Sequence, residues 1–195
     1  MSKQPRIIGL AGTNGSGKDT VGHVLADHAG YLFISVTELL RDEAKRRKLA
    51  VERENLRMIS AEWRRESGLG VLIDKAVAEL DKNPAKYTGV VMASLRNPGE
   101  ADRIHQLDGI MIWVDADPKI RFERVVTSNR GRSGEDQKTF EQFMAEEAAE
   151  MTKPAGGDDA TLNMAAVKQK CDLFLPNNGN SLQSFQRAIV KALGL

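Results

Sequence analysis

The chain is short of the residues that most often announce a chemistry. Of its 195 residues only Cys171 is a cysteine, which excludes an intrachain disulfide and a cysteine-based metal site. His23, His28 and His105 all lie in helix-like segments and read as structural, and no Ser/His/Asp arrangement is evident. No apolar run approaches the length of a membrane span. The formal net charge of +1 supplies no bulk attraction to nucleic acid or membrane, so any anion-binding surface has to be local. The first apolar run is reached by Arg6, from which no signal peptide and a cytoplasmic location are expected. There is no internal repeat and no low-complexity tract.

What is present suits one soluble α/β domain over residues 1–195, with 41% hydrophobic and 28% charged residues. Five short apolar runs read as buried strands: Arg6–Ala11, Tyr31–Ser35, Gly89–Ala93, Gly109–Val114 and Cys171–Leu175. Helical patterns separate them, and that alternation predicts a five-stranded parallel sheet with helices on both faces. Val21, Val24, Leu25 and His28 share one helical face, as do Leu56, Ile59 and Trp63, and Ile73, Val77 and Leu80. Asn97-Pro98 followed by Glu100 reads as a capping box with proline in the first turn, and Asp117-Pro118 repeats the cap-plus-proline signal. Phe140, Phe143, Met144 and Met151 mark a further helix; Leu182, Phe185, Ile189 and Leu193 mark the last, capped by Ser181. Two polar, glycine-containing stretches, Arg130 to Gln137 and Pro154 to Ala160, read as mobile loops.

The most informative segment is Gly12-Thr13-Asn14-Gly15-Ser16-Gly17-Lys18-Asp19-Thr20, set between the first strand run and the first helix. Strand, glycine-rich loop and helix in that order make a phosphate cradle. Small residues let backbone N–H groups turn onto an oligophosphate, the helix N-terminus adds partial positive charge, and Lys18 reaches the β- and γ-phosphates. The residue after Lys18 is Asp19 in place of the usual hydroxyl, which follows one position later at Thr20.

A phosphate cradle needs a partner, and planar guanidinium groups are the natural second component. Three arginine sets fall where strands should end at the ligand-binding edge of the sheet. Arg41 follows the second strand run in Ile34-Ser35-Val36-Thr37-Glu38-Leu39-Leu40-Arg41, although its charged surroundings also suit a solvated helix face. Arg96 follows the third run, immediately before the capped helix start. Arg121, Arg124, Arg130 and Arg132 run along a helix into the glycine-containing loop, from which they could close over a nucleotide.

With these segments in view the chain resembles a P-loop nucleotide kinase of the nucleoside monophosphate kinase type. Gly17-Lys18-Asp19-Thr20 is similar to the loops of adenylate-kinase-like and deoxynucleotide kinases, and Ile34 to Arg41 to the segment that holds the acceptor monophosphate in adenylate kinases. Ala93-Ser94-Leu95-Arg96-Asn97-Pro98-Gly99-Glu100 resembles the segment of deoxynucleotide kinases and of adenylate-kinase-related archaeal proteins in which arginine grips the acceptor phosphate. Those families carry an aspartate at that strand end; here Ala93 and Ser94 supply no charge. The stretch from Asp115 to Arg124 resembles the entry to a lid helix, and Cys171 to Leu182 resembles an ending shared by dephospho-CoA kinases and the archaeal relatives.

The resemblance implies a three-layer α/β/α fold with a helical acceptor-binding insertion over 36–88 and a short lid over 121–137. It implies transfer of the γ-phosphate of ATP, with Mg²⁺, to a nucleoside monophosphate or similar nucleotide, by a monomer or homodimer. ATP would be bound by Gly12, Asn14, Gly15, Ser16, Gly17, Lys18, Asp19, Thr20 and Arg124, and the acceptor by Ser35, Glu38, Arg41 and Arg96. Lys18, Arg124, Arg130 and Arg132 are the implied catalytic cations, and Asp19 the implied metal contact, directly or through water. Two alternatives stay open: a dephospho-CoA kinase, and a nucleotide-binding regulatory module without catalysis. Neither a guanine-recognition Asn-Lys-x-Asp nor a transporter-type Leu-Ser-Gly-Gly-Gln occurs.

Overall fold

A computed structural model describes residues 5–127, 138–179 and 181–195. Its elements alternate as the sequence pattern requires: β1 (Ile7–Gly12), α1 (Lys18–Ala29), β2 (Tyr31–Ser35), then three consecutive helices α2 (Val36–Arg46), α3 (Arg53–Ser67) and α4 (Val71–Asp81). There follow β3 (Gly89–Leu95), α5 (Pro98–Gln106), β4 (Ile110–Asp115), α6 (Pro118–Thr127), α7 (Phe140–Met151), α8 (Met164–Gln169), β5 (Leu173–Pro176) and α9 (Leu182–Leu193).

The five strands form one sheet in the order β2-β3-β1-β4-β5, all pairings parallel. Both faces are covered, which explains why the strands read as continuous apolar runs. Successive residues serve opposite layers: Ile7, Met92, Met111 and Trp113 pack with Leu40, Ile59, Leu72 and Ile104. Ile8, Leu10, Val91, Ile112 and Val114 pack with Val21, Leu25, Phe185 and Ile189 on the other side. The sheet therefore separates the α2–α5 and α8 layer from the α1 and α9 layer.

Several details depart from the sequence reading. Leu182 is 61% exposed, because the buried stripe of α9 begins one turn later with Phe185 and Ile189. His28 shares the helical face of Val21, Val24 and Leu25 but is exposed, because it stands in the last turn of α1. The stretch 154–160 has no regular structure, yet it is tethered rather than loose. The buried Asn97 side chain donates to Asp159 O and Thr161 O at 2.7 and 2.8 Å, and Arg64 Nη1 donates to Ala160 O at 3.0 Å. Two buried polar side chains thus spend their donors on that backbone, and Ala160 is buried beneath it. The stretch 130–137 lies outside the described residues.

Candidate active site

β1 ends at Gly12, paired with Val114 of β4, and the chain turns through 13–17 into α1. The turn needs glycine at two points. Gly15 (φ 77°) passes so close to α6 that a Cβ would stand 2.6 Å from Arg121 O, and Gly17 (φ 100°) would place one 2.6 Å from Asn177 Nδ2. A left-handed conformation combined with a backbone or amide contact admits no larger residue without displacement.

The loop is braced from three directions. Thr13 Oγ1 donates to Asp115 Oδ1 at 2.8 Å, joining the ends of β1 and β4. Asn177, beyond β5, donates its amide to Ser16 O at 2.9 Å. Arg121 lies 2% exposed under the loop; its Nε donates to Ala116 O at 2.8 Å, its Nη1 reaches Asn14 O at 3.4 Å, and Glu147 of α7 clasps its fork. This corrects the grouping of Arg121 with closing lid arginines: it is a buried strut of the phosphate loop. Of the expected lid over 121–137, residues 121–127 continue α6, and Arg130 and Arg132 lie outside the described residues.

Lys18 is buried, and its Nζ donates to Thr13 O at 2.7 Å with Ser16 Oγ at 3.5 Å. The ammonium is thus held by its own loop, on atoms a phosphate oxygen would outcompete. Burial pushes its pKa down to about 8; Arg96 lowers it further, Asp19 and Glu150 raise it, and Arg121 lowers it. Asp115 is driven up by partial burial, but hydrogen bonds from Thr13, Trp113 and the Ala116 N–H, with Arg121 beside it, hold it net below the ordinary carboxylate range.

A cleft of about 760 Å³ opens from this loop across the C-terminal edge of the sheet to α2 and α3. Asn14, Gly15, Gly17, Lys18, Asp19 and Thr20 line one end, and Ser35, Glu38, Arg41 and Arg96 line the same cleft. Ser16 is buried beneath the loop and Gly12 ends the strand behind it. Eight cationic residues face the cleft, namely Lys18, Arg41, Lys45, Arg53, Arg57, Arg64, Arg96 and Lys138, against the acids Asp19, Glu38, Glu52 and Glu150. In a chain of net charge +1 this is a local excess of positive charge, of the kind an anion-binding surface needs.

The residues expected on the acceptor side are fixed by local folding rules. Arg41 sits one turn beyond Glu38 on α2 and donates to it from Nη1 at 2.7 Å, while its buried Nε has no partner among the described residues. Arg96 follows a bulge: Ala93 pairs with Leu10 and Leu95 with Ala11, so Ser94 is looped out at φ 74° and faces the cleft. Glu100 closes the capping box of α5 and accepts from the backbone N–H of Arg96 at 2.8 Å. The same Glu100, fully buried, holds Arg64 at 2.6 Å. Arg96 is itself desolvated, which holds its pKa below the ordinary arginine value. Arg124 donates from Nη2 to Asn177 O at 3.0 Å and Gly179 O at 2.7 Å, leaving its buried Nη1 without a partner among the described residues. It therefore clamps the loop after β5 beside the phosphate loop.

Sequence reasoning missed Arg53 and Arg57 on α3, and Glu147 and Glu150 on α7. Arg53 and Arg57 stand four apart, one helical face, and that spacing was the available signal. Nothing in the sequence pairs them with an acid nearly a hundred residues away.

A glycine-rich loop between β1 and α1, the parallel order β2-β3-β1-β4-β5 and a cationic cleft at the strand C-termini define a P-loop NTPase with a kinase-like fold. The chain belongs to the AAA domain family, whose profile matches residues 8–149. A UPF0200 protein of Pyrobaculum aerophilum is 28% identical over 189 residues, 96% of each chain. A UPF0200 protein of Pyrococcus abyssi is 28% identical over 187 residues, 94% of this chain and 92% of the relative. Among solved structures, TT1252 from Thermus thermophilus matches with a TM-score of 0.56 at 22% identity over 98% of both chains. Shikimate kinase from Bacteroides thetaiotaomicron matches with a TM-score of 0.56 at 14% identity, over 97% of this chain and 98% of that one. At such identities the likeness is one of fold. No helix among the described residues is long and apolar enough to cross a membrane.

Proposed function

We propose that the chain is an ATP-dependent phosphotransferase that moves the γ-phosphate of ATP to a nucleoside monophosphate or a similar nucleotide. The observation that carries this reading is the single cleft in which Lys18 and the phosphate loop face Arg41 and Arg96. One end suits an oligophosphate on backbone N–H groups; the other offers fork-shaped cations for a second phosphate. Transfer between two phosphates requires positioning and charge neutralisation rather than a base or a protein nucleophile, because the acceptor phosphate is already nucleophilic at neutral pH.

In this reading Lys18 leaves Thr13 O for the β- and γ-phosphates, and Arg96 and Arg41 hold the acceptor in line. Arg124 steadies the donor side, with Arg130 and Arg132 neutralising charge on the transferring group. Magnesium would supply electrostatic stabilisation of the phosphate oxygens. Among the described residues no group of three or more His, Cys, Asp or Glu could hold a metal. Asp19, directly or through water, would hold the ion, and Thr20 beside it would give its hydroxyl to the phosphates.

A hydroxyl acceptor, as in dephospho-CoA kinase, would need a base beside the γ-phosphate. Ser35 ends β2 and Ala93 and Ser94 stand near the end of β3, so neither strand end offers a carboxylate, and Glu38, the acid that follows β2, is paired with Arg41. The phosphate acceptor is accordingly favoured.

The test is an ADP-release assay with ATP and magnesium across nucleoside monophosphates, deoxynucleotides and dephospho-CoA. Turnover with a monophosphate is expected. ATP binding without turnover on any of them would replace the kinase by a regulatory nucleotide-binding module. Arg96→Ala should raise the acceptor KM at least tenfold with little change in the ATP KM, and equal effects on both would remove Arg96 from the acceptor end.

A further inference from the structure

At the acceptor end of the cleft, three arginines from two distant segments converge on one carboxylate. Glu150 of α7 receives Arg96 Nη1 on Oε2, Arg57 Nη2 on Oε1 at 2.7 Å and Arg53 Nη1 on Oε1 at 3.4 Å. The carboxylate is 11% exposed, while the arginines are 26%, 43% and 32% exposed. All four residues line the cleft that holds Lys18.

We infer that Arg53, Arg57 and Arg96 form a phosphate-monoester subsite, and that Glu150 is its built-in occupant, displaced by the acceptor's phosphate. The inference rests on the kinase reading for the identity of the acceptor but not for the existence of the subsite.

The chemistry of the cluster supports it. One carboxylate has two oxygens and one charge, too little for three guanidinium forks. A phosphate monoester brings close to two charges and three terminal oxygens, enough to engage every fork. A structural ion pair needs only one arginine per acid. Three cations share Glu150, with Glu146 a further partner of Arg53 at 3.4 Å, and a phosphate dianion offers them more charge and more oxygens than that carboxylate does. Burial pushes the Glu150 carboxyl up, but Arg96, Arg57 and Arg53 pull it net below its ordinary value, so it stays an anion in place.

Glu150 and Glu147 lie on the same helix, and Glu147 holds Arg121, whose guanidinium touches Asn14 O. The same helix tethers Glu146 to Arg53 at 3.4 Å, so Arg53 keeps an acidic neighbour when Glu150 departs.

The test is calorimetric titration with ribose 5-phosphate, with ribose as the uncharged control and the phosphate loop saturated with ADP. Glu150→Gln keeps the shape of the side chain and removes the competing charge, and is expected to bind ribose 5-phosphate at least fivefold more tightly than the parent. Arg57→Gln, a change at a largely exposed position, is expected to weaken it at least fivefold while leaving ADP affinity unchanged. Weaker or unaltered binding by a folded Glu150→Gln protein would make Glu150 a positioning residue for the arginines and overturn the occupant assignment. If that variant does not fold, unchanged ribose 5-phosphate affinity in Arg57→Gln overturns the subsite. The two readings fail separately: monoester binding that responds as expected, with no turnover on any nucleotide, sinks the kinase and keeps the subsite. Turnover with an acceptor KM indifferent to Arg57→Gln does the reverse.

Discussion

Asn177 and Ser16, 161 positions apart in sequence, are joined by a 2.9 Å hydrogen bond from the Asn177 amide to the Ser16 carbonyl. The bond is buried and fastens the loop after β5 to the turn on which Lys18 depends. Gly17 makes it possible, since any Cβ there would press on the Asn177 nitrogen. Replacing Asn177 by alanine strands the carbonyl, a loss of about 1–3 kcal/mol for an unsatisfied buried acceptor. Asn177→Asp is the sharper change: it removes the donor and adds negative charge beside the phosphate loop. Expected are a urea midpoint lowered in both variants, and ATP affinity reduced more in Asn177→Asp than in Asn177→Ala. Equal ATP affinities would show that the residue acts by packing alone.

Nucleotide binding should carry a proton signature. Lys18 has its pKa lowered to about 8 in the free protein, chiefly by burial. A triphosphate favours the charged ammonium, so the pKa rises on binding, and the complex takes up a proton where free Lys18 is neutral. ATP affinity is then constant below about pH 8, falls as pH rises through that value, and levels off above the pKa of the complex. Titrations in buffers of different ionisation enthalpy should show proton uptake at pH 9 and much less at pH 7. Lys18→Arg, which keeps its charge throughout, should abolish the pH step, and a step that survives would assign it to another group.

The sheet and the phosphate-loop end of the cleft were legible because both are written in local sequence. Buried parallel strands need apolar runs, and a phosphate turn needs glycine at fixed offsets beside a lysine. That Arg41 and Arg96 line the same cleft was legible for a similar reason, each following a recognisable strand end. Glu150, Arg53 and Arg57 were not, because their relation exists only after α7 folds back over α3. Arg121 was misread for a related reason: a helical arginine near a polar loop looks solvated until its carbonyl and carboxylate partners are known. Leu182 opens α9 as expected yet is exposed, since helical period cannot say where along a helix burial begins.

The Arg64–Glu100 pair predicts a large loss of stability at a position remote from the phosphate loop. Arg64 is 3% exposed and Glu100 fully buried, with Arg64 Nη2 2.6 Å from Glu100 Oε1, and the same carboxylate receives the N–H groups of Arg96 and Asn97. Glu100→Gln leaves a guanidinium buried without its counter-charge and weakens the cap of α5. Breaking one side of such a pair costs about 3–5 kcal/mol. Arg64→Met should cost about as much, but the double variant should be less impaired than the sum. Denaturant unfolding of the four proteins measures the coupling, and strict additivity would mean that the two side chains do not depend on each other.

Thr13 holds two elements of the site at once: its hydroxyl donates to Asp115 and its carbonyl accepts from Lys18. Thr13→Val conserves volume, keeps the carbonyl and removes only the hydroxyl. Asp115 then loses one of the bonds that depress its pKa, so its carboxyl moves back up. A depressed carboxylate stabilises the fold above its unfolded pKa and loses that contribution as pH falls through its folded pKa. The variant should therefore be less stable at neutral pH by about 1 kcal/mol, the net worth of one hydrogen bond. Its stability should also decline at a higher pH on acidification than the parent's. Because the first residue of the phosphate loop is no longer tied by its side chain to the end of β4, the ATP KM should rise several-fold, whereas the acceptor KM, which the proposed function assigns to arginines on α2 and beyond β3, should hold. Urea midpoints across the carboxylate range and paired KM values test both halves; an acceptor KM that rises as steeply as that of ATP would contradict this division of the cleft.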